Sequence, residues 1–282
     1  MIKLKNVTVR YGDFTALNLQ GEYEIKSCDF VGIIGANGAG KSTLVKVLTD
    51  QVRYTGAVEK PSEIAVHLQE NSYPDVVNCQ TILEGLLKTS YKHNHKLQEL
   101  VRFFDFEKNL KKKYANLSGG HKQRLTLIMV LYQDTPVTCF DEMTTGLDFE
   151  TRNKLMKKIS DWYSEKSAAL LFITHYFDEL EKLANKLLII DQGQVVDFGD
   201  ITYLFKKYVG YSAIILEDIS GIDINQYKLL KSEKGSYYAI SCDSQKAQQS
   251  FAESLVKLGK KFIISDKSIE LIYSNAVHNN RN

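Results

Sequence analysis

The stretch that most limits the folds open to this chain is "GANGAGKSTL", residues 35–44, because a short apolar run, Phe30–Ile34, precedes it and a helical pattern, "TLVKVLTD", follows. Strand, glycine-rich turn and helix in that order make a phosphate-binding loop. The run Gly35, Ala36, Asn37, Gly38, Ala39 and Gly40 lets backbone amides curl around anionic oxygens, and Lys41 reaches the outer phosphates as a point charge. Ser42 offers its hydroxyl to a magnesium ion bridging those phosphates, and Thr43 sits beside it in the first helical turn. The helix places its positive end and free backbone donors under the anion. Such loops serve kinases, GTPases, helicases and transport motors alike, so the reaction has to be read from other segments.

The strand-like runs "FVGIIG", "EIAVHLQ", "VTCFDE", "ALLFITH" and "KLLIID" alternate with segments of helical period, which predicts an α/β sheet core. Between Tyr73 and Tyr114 the strands stop, and "TILEGLLKTS" and "KLQELVRFFDFEKNL" predict a helical insert over about 73–116. Beyond about Tyr208 the texture changes to a few strands and two helices, the pattern of a small appended α+β unit over 209–277. The polar ending "HNNRN", 278–282, is expected to fray.

At 282 residues with 44% apolar content the chain can bury a sizeable core. Its net charge of +2, from 36 basic and 34 acidic residues scattered along it, makes no case for a nucleic-acid partner. Cys28, Cys79, Cys139 and Cys242 form no CxxC pair, which argues against a zinc site or disulfide framework and for a reducing compartment. The N-terminus, "MIKLKNVTVR", alternates in strand fashion rather than as a signal peptide. No apolar run approaches the roughly 20 residues a membrane-spanning helix needs, so any membrane part is expected on another chain.

Two further segments bear on chemistry. In "VTCFDEMTTGLD" a strand ends in consecutive carboxylates, and side-chain alternation lets Asp141 face a metal while Glu142 lies near the water that attacks the γ-phosphate. In "NLSGGHKQRLTLIMVL" a Gly-Gly pair opens a second helix behind Ser118, giving a second anion-binding terminus that one phosphate loop does not require.

Here the sequence resembles the ATP-binding cassette family: "LSGGHKQR", Leu117 to Arg124, is similar to its signature motif and lies in family order between the phosphate loop and "FDE". The resemblance covers residues 1 to about 208. It implies a phosphate-loop ATPase core with an antiparallel β subdomain and an inserted α-helical subdomain, followed here by the small α+β extension. It implies that Tyr11 stacks on adenine and that Gln69 of "VHLQE" touches the magnesium ion or the attacking water. Ser118, Gly119 and Gly120 would contact the γ-phosphate of ATP held by an opposing subunit. Asp148 of "TTGLD" would lie across that interface, and His175, closing "LLFITH", would sense the γ-phosphate. Ala36 and Met143 stand where many relatives carry proline.

The family's pattern implies an ATP- and Mg2+-dependent hydrolase that pairs head to tail, most simply as a homodimer. It would drive a separate transmembrane permease from the cytoplasmic face of the plasma membrane, touching the membrane only through that permease. The stretch from Ile173 to Asp200 and the C-terminal extension look like those of the export-type branch that moves drugs, peptides or glycans. The alternatives are an import ATPase, a soluble cassette protein acting on ribosomes or DNA, and a nucleotide-dependent sensor with little turnover. A single cassette without a long heptad run argues against the soluble class, and intact Glu142 and His175 argue against the sensor.

Overall fold

Phe30, Val31, Ile33 and Ile34 are apolar on both sides of a strand, a pattern that suits only the middle of a sheet covered on both faces. In the computed structural model, which describes residues 1–68, 71–233, 235 and 237–281, that strand is β3 (Phe30–Ile34). It lies between β7 (Ala169–Ile173) and β8 (Lys186–Asp191), parallel to both. Parallel pairing continues from β7 to β6 (Val137–Asp141) and on to β5 (Ala65–His67). The other half of the same sheet is largely antiparallel: β9 (Gln194–Asp200) returns along β8, while β1 (Ile2–Tyr11) pairs with β2 (Phe14–Ile25) and β4 (Thr55–Glu59). One nine-stranded sheet results, in the order β4-β1-β2-β9-β8-β3-β7-β6-β5.

Helix α1 (Lys41–Leu48) packs one face of this sheet in a core with Leu17, Val31, Ile33, Leu171 and Leu188. The opposite face meets α5 (Phe149–Tyr163) and α6 (Phe177–Leu183). Between β5 and α4 (Gly119–Tyr132) the chain runs through α2 (Cys79–Leu87) and α3 (His95–Phe103), where Leu83, Leu97, Leu100 and Phe104 are fully buried. Asn78 and Asn94 start these two helices by accepting the Thr81 and Leu97 amides at 2.8 and 2.9 Å, each offsetting one of the open donors of a helix start. Thr138, a polar residue inside β6, is accommodated by a 2.8 Å hydrogen bond to the Tyr163 hydroxyl.

After α7 (Ile201–Tyr208) a second sheet of four strands forms, ordered β11-β12-β10-β13. Its members are β10 (Ser212–Leu216), β11 (Leu229–Leu230), β12 (Tyr238–Cys242) and β13 (Ile263–Ser265), with α8 (Gln245–Lys257) packed on Ile214 and Ile240. The last helix, α9 (Ile269–Arg281), turns back onto the large sheet and shares a core with Leu180, Leu187 and Leu204. Residues 278–281, expected to fray, continue this helix, because Arg281 finds a buried partner: its guanidinium donates to both oxygens of Asp191 at 2.8 and 2.7 Å. Among the described residues no helix is long and apolar enough to cross a membrane.

Candidate functional site

The chain has six residues in which to leave β3 and enter α1, and the surrounding backbone leaves little room for them. A Cβ on Gly35 would lie 2.2 Å from the Ile190 carbonyl oxygen, so only glycine passes β8 there. Gly40 caps α1 at φ 107 with no side-chain cap, which leaves the first amides of the helix open to a ligand. Lys41 folds across the loop it follows, donating to the carbonyls of Gly35 at 2.7 Å and Ala36 at 3.0 Å. Burial draws the Lys41 pKa down, against the opposing pull of Glu142 and Asp141.

Asp141 ends β6, and Glu142 follows it in the left-handed region at φ 47, its amide donating to the Ile173 carbonyl at 2.9 Å. Strand alternation and this turn send the two carboxylates to different neighbours. Asp141 lies beside the Ser42 hydroxyl, while Glu142 Oε1 lies 2.6 Å from His175 Nε2. Burial is the chief reason the Asp141 pKa is raised; the Ser42 hydroxyl and the Lys41 cation work against it. The Ser42 hydroxyl beside the Asp141 carboxylate is the donor set that magnesium uses when substrate phosphate oxygens complete its shell. Among the described residues no cluster of His, Cys, Asp and Glu could hold a metal alone, so the fit is to an ion shared with a nucleotide.

A cavity of about 630 Å³ opens above these groups, with Lys41, Ser42, Glu142 and His175 at its base. Its mouth is framed by Tyr11 and Phe14, the two ends of the β1–β2 turn, 48% and 66% exposed. Exposed aromatic rings at a cavity mouth offer flat surfaces for a base. Phe14 was not among the residues the sequence singled out, although it lies in the same "YGDF" turn as Tyr11. Asn37, Gly38, Gly40 and Thr43 also line the space, whereas Gly35, Ala36 and Ala39 do not.

Ser118, Gly119, Gly120 and Asp148 lie outside this cavity. Ser118 caps α4, with its hydroxyl 2.6 Å from His121 Nδ1, and Asp148 caps α5, accepting the Thr151 amide and hydroxyl at 2.9 and 2.7 Å. A Cβ on Gly120 would come within 3.2 Å of the Thr151 methyl carbon, so the two helix starts share one surface. Gln69 lies outside the described residues.

One constellation carried no sequence signal. Glu179 on α6 is 3% exposed and accepts from Thr144 at 2.6 Å and from Thr174 at 2.8 Å. It thereby ties the chain leaving Glu142 to the residue before His175. Arg152 of α5 approaches it at 3.5 Å and stacks on the Tyr176 ring at 4.0 Å.

Glycine cradle, lysine, hydroxyl–carboxylate pair and base–histidine pair define a nucleotide site of phosphate-loop type. The sequence profile described as "ABC transporter" matches residues 20–145. The chain is 33% identical to the energy-coupling factor transporter ATP-binding protein of Mycoplasmopsis synoviae, over 71% of this chain and 82% of that one. It is 30% identical to the Nod factor export ATP-binding protein I of Burkholderia orbicola, over 76% and 75%. It is 29% identical to the methionine import ATP-binding protein of Lactobacillus johnsonii, over 72% of this chain and 66% of the relative's length. Among solved structures, an ATP-binding subunit of an ABC transporter superposes with a TM-score of 0.65 at 20% identity, covering 74% of this chain and 93% of that one. The chain belongs to the ATP-binding cassette family, whose transporter subunits bind ATP with Mg2+ and hydrolyse it.

Proposed function

We propose that this chain is the ATP-hydrolysing motor subunit of a membrane transporter, and that the residues gathered at the mouth of β3, β6 and β7 act as one site. The observation that carries this is the 2.6 Å contact of Glu142 with His175, placed at the base of the same cavity as Lys41 and Ser42. Tyr11, with Phe14, holds the adenine. The amides of Asn37, Gly38, Gly40, Lys41, Ser42 and Thr43, which line the cavity, and the Lys41 ammonium take the phosphates once Lys41 leaves the Gly35 and Ala36 carbonyls. Ser42, Asp141 and Gln69 hold Mg2+, which when bound neutralises charge on the outer phosphates. Glu142 accepts the proton of the attacking water, and His175 orients it and reads the γ-phosphate.

The signature group and Asp148 serve the nucleotide of a second copy. What supports this is their position: all four crown the α4 and α5 starts, away from the cavity their own chain provides. Residues 1–208, with the insert at 73–116, form the motor and 209–277 its extension. The complex comprises two such chains and a separate permease, peripheral to the cytoplasmic face of the membrane, with no nucleic acid involved. Direction rests on two opposed observations. The resemblance of the stretch 173–200 and of the C-terminal extension supports export, as does the relative named for Nod factor export; the relatives named for methionine and for sulfate/thiosulfate import support import at least as strongly. The permease that co-purifies with the chain distinguishes them.

The purified chain is expected to hydrolyse ATP only with Mg2+. Lys41→Ala should lose ATP binding itself. Glu142→Gln should keep binding while turnover falls by about 10²–10⁴-fold, and it should accumulate as an ATP-bound dimer. Wild-type turnover in Glu142→Gln would remove the base assignment, and unchanged ATP affinity in Lys41→Ala would remove the loop assignment.

A further inference from the structure

Phe149, the first residue of α5, is 64% exposed and directly follows Asp148, on the surface that also carries the α4 start. Two cations lie over its ring: Arg152 Cζ is 5.6 Å from the centroid, and Lys182 Nζ, from α6, is 5.7 Å from it. Lys182 is itself fixed by donating to the Asn153 side chain at 2.6 Å. An aromatic face turned to water is thus held in place at the point where Asp148 ends the turn.

Arg152 stands one helical turn further on, its amide donating to the Asp148 carbonyl at 3.0 Å. Its side chain is largely buried, and the guanidinium lies 4.0 Å from the ring centroid of Tyr176, the residue after His175. One cation is therefore shared between a ring at the surface and a ring beside His175. Arg152 Nε is also 3.5 Å from Glu179 Oε1, and the other oxygen of that carboxyl accepts from Thr174, the residue before His175. Nε has no hydrogen-bond partner among the described residues, so charge and ring stacking rather than a hydrogen bond hold it. His175 is gripped on both sides, at Thr174 through Glu179 and at Tyr176 directly, and its own ring meets Glu142 at 2.6 Å.

We propose that Arg152 is a positioning residue that couples docking of a second copy of this chain on the α5 start to the placement of His175. A surface pressed onto Phe149 shifts the cation that this ring shares with Tyr176, and Tyr176 carries His175 with it. This rests on the reading that the α4 and α5 starts meet a second copy and that His175 acts at the γ-phosphate.

The test is a cycle of Phe149→Ala and Tyr176→Leu in the full chain, read as kcat at saturating ATP and high protein concentration, Kd for ATP and the unfolding midpoint. A cation–ring contact corresponds to about two- to fivefold at an open site and up to about thirtyfold where water is excluded. Phe149→Ala should lower kcat by about two- to fivefold and Tyr176→Leu by about five- to thirtyfold, with Kd within about twofold in both. The double variant should be no slower than Tyr176→Leu, because losses along one chain of contacts do not add. Phe149→Ala should melt within about 2 °C of wild type, since an exposed ring contributes little burial. In Arg152→Met, adding Phe149→Ala should change kcat no further; if Arg152→Met does not fold, the cycle decides alone. Wild-type kcat in Phe149→Ala, multiplying losses in the double variant, or a Phe149→Ala deficit seen only at low protein concentration overturns the proposal, the last by making the ring a docking contact alone. Wild-type chain that hydrolyses no ATP would instead remove the reading of the site; hydrolysis by wild type, lost in Glu142→Gln but unchanged in Phe149→Ala, removes only the role of Arg152.

Discussion

Gly35 and Gly119 are glycines for different reasons. At Gly35 the obstacle is a backbone oxygen 2.2 Å from where a Cβ would sit, and a carbonyl inside a sheet cannot swing aside. Gly35→Ala should therefore pry β3 from β8 and cost about 2–4 kcal/mol, read as a lowered denaturation midpoint together with lost ATP binding. Gly119 opens α4 with a negative φ, and a Cβ there would meet nothing within 4 Å, so packing within the chain gives no cause for glycine. Gly119→Ala should keep or slightly raise stability, by up to about 1 kcal/mol, and leave ATP affinity intact. Steady-state hydrolysis should fall by at least about tenfold, because a side chain would stand where a second subunit's phosphate has to approach an open helix start. Unimpaired turnover in this variant would mean that the open surface at Gly119 serves no nucleotide.

Four elements meet at Glu179, and what it does belongs to their relative placement. The exits of β6 and β7 carry Glu142 and His175, and each exit is tied to α6 by one threonine hydroxyl donating to the same carboxyl group. Glutamine has a single acceptor oxygen, so Glu179→Gln leaves one hydroxyl facing an amide donor and should cost about 1–3 kcal/mol, with turnover falling more than ATP affinity. Burial foremost raises the Glu179 pKa above its ordinary 4.5, with the two threonines and Arg152 opposing. A carboxyl raised on folding binds its proton more tightly in the native state, so its contribution declines as pH rises from about 4.5 through the native value. The stability deficit of Glu179→Gln should accordingly be larger at pH 4 than at pH 7; a deficit independent of pH would show that Glu179 titrates alike in both states. Much of the frame around this junction was readable, since β3, β7 and β8 carry near-continuous apolar runs of the kind that fits only a sheet covered on both faces, and β6 departs from that pattern inside the strand only at Thr138. The "LSGG" and "FDE" segments stood out because each joins an unusual residue pattern to a helix start or strand end. Glu179 was not readable: a glutamate in "YFDELEKL" looks like any solvated helix acid until the sheet brings two threonines to it. The same holds for Arg281, whose partner is set by long-range packing, and composition alone made 278–281 look like a loose end.

Over the whole molecule, the change of texture after Tyr208 suggests an appended unit, yet α9 completes the core of the large sheet. Ile269, Leu271 and Ile272 are fully buried and Tyr273 nearly so, in one cluster with Leu180, Leu187, Leu204 and Phe205. At about 1.5–3 kcal/mol for each buried side chain, these four contribute roughly 6–12 kcal/mol, as much as a typical domain's entire margin of 5–15 kcal/mol. A chain ended after residue 208 would expose that face of α7 and β8 and deprive Asp191 of its arginine. It should therefore be insoluble or unfolded at 25 °C, and the full chain should melt in one transition seen alike by far-ultraviolet circular dichroism and by fluorescence of Trp162, which lies on α5. Removing only 210–265, with a short linker from Val209 to α9, should keep the large sheet folded but at lower stability, because Ile214, Ile240, Phe251 and Leu255 form a core of their own while Ala213, Leu230 and Ala239 pack into the core that α9 completes and Lys231 is bonded to Asn275. A soluble, cooperatively folding 1–208 fragment would show that α9 is a dispensable cover. Insolubility of that fragment beside a folded linker variant would place α9 with the motor, leaving only the small sheet as a separable part.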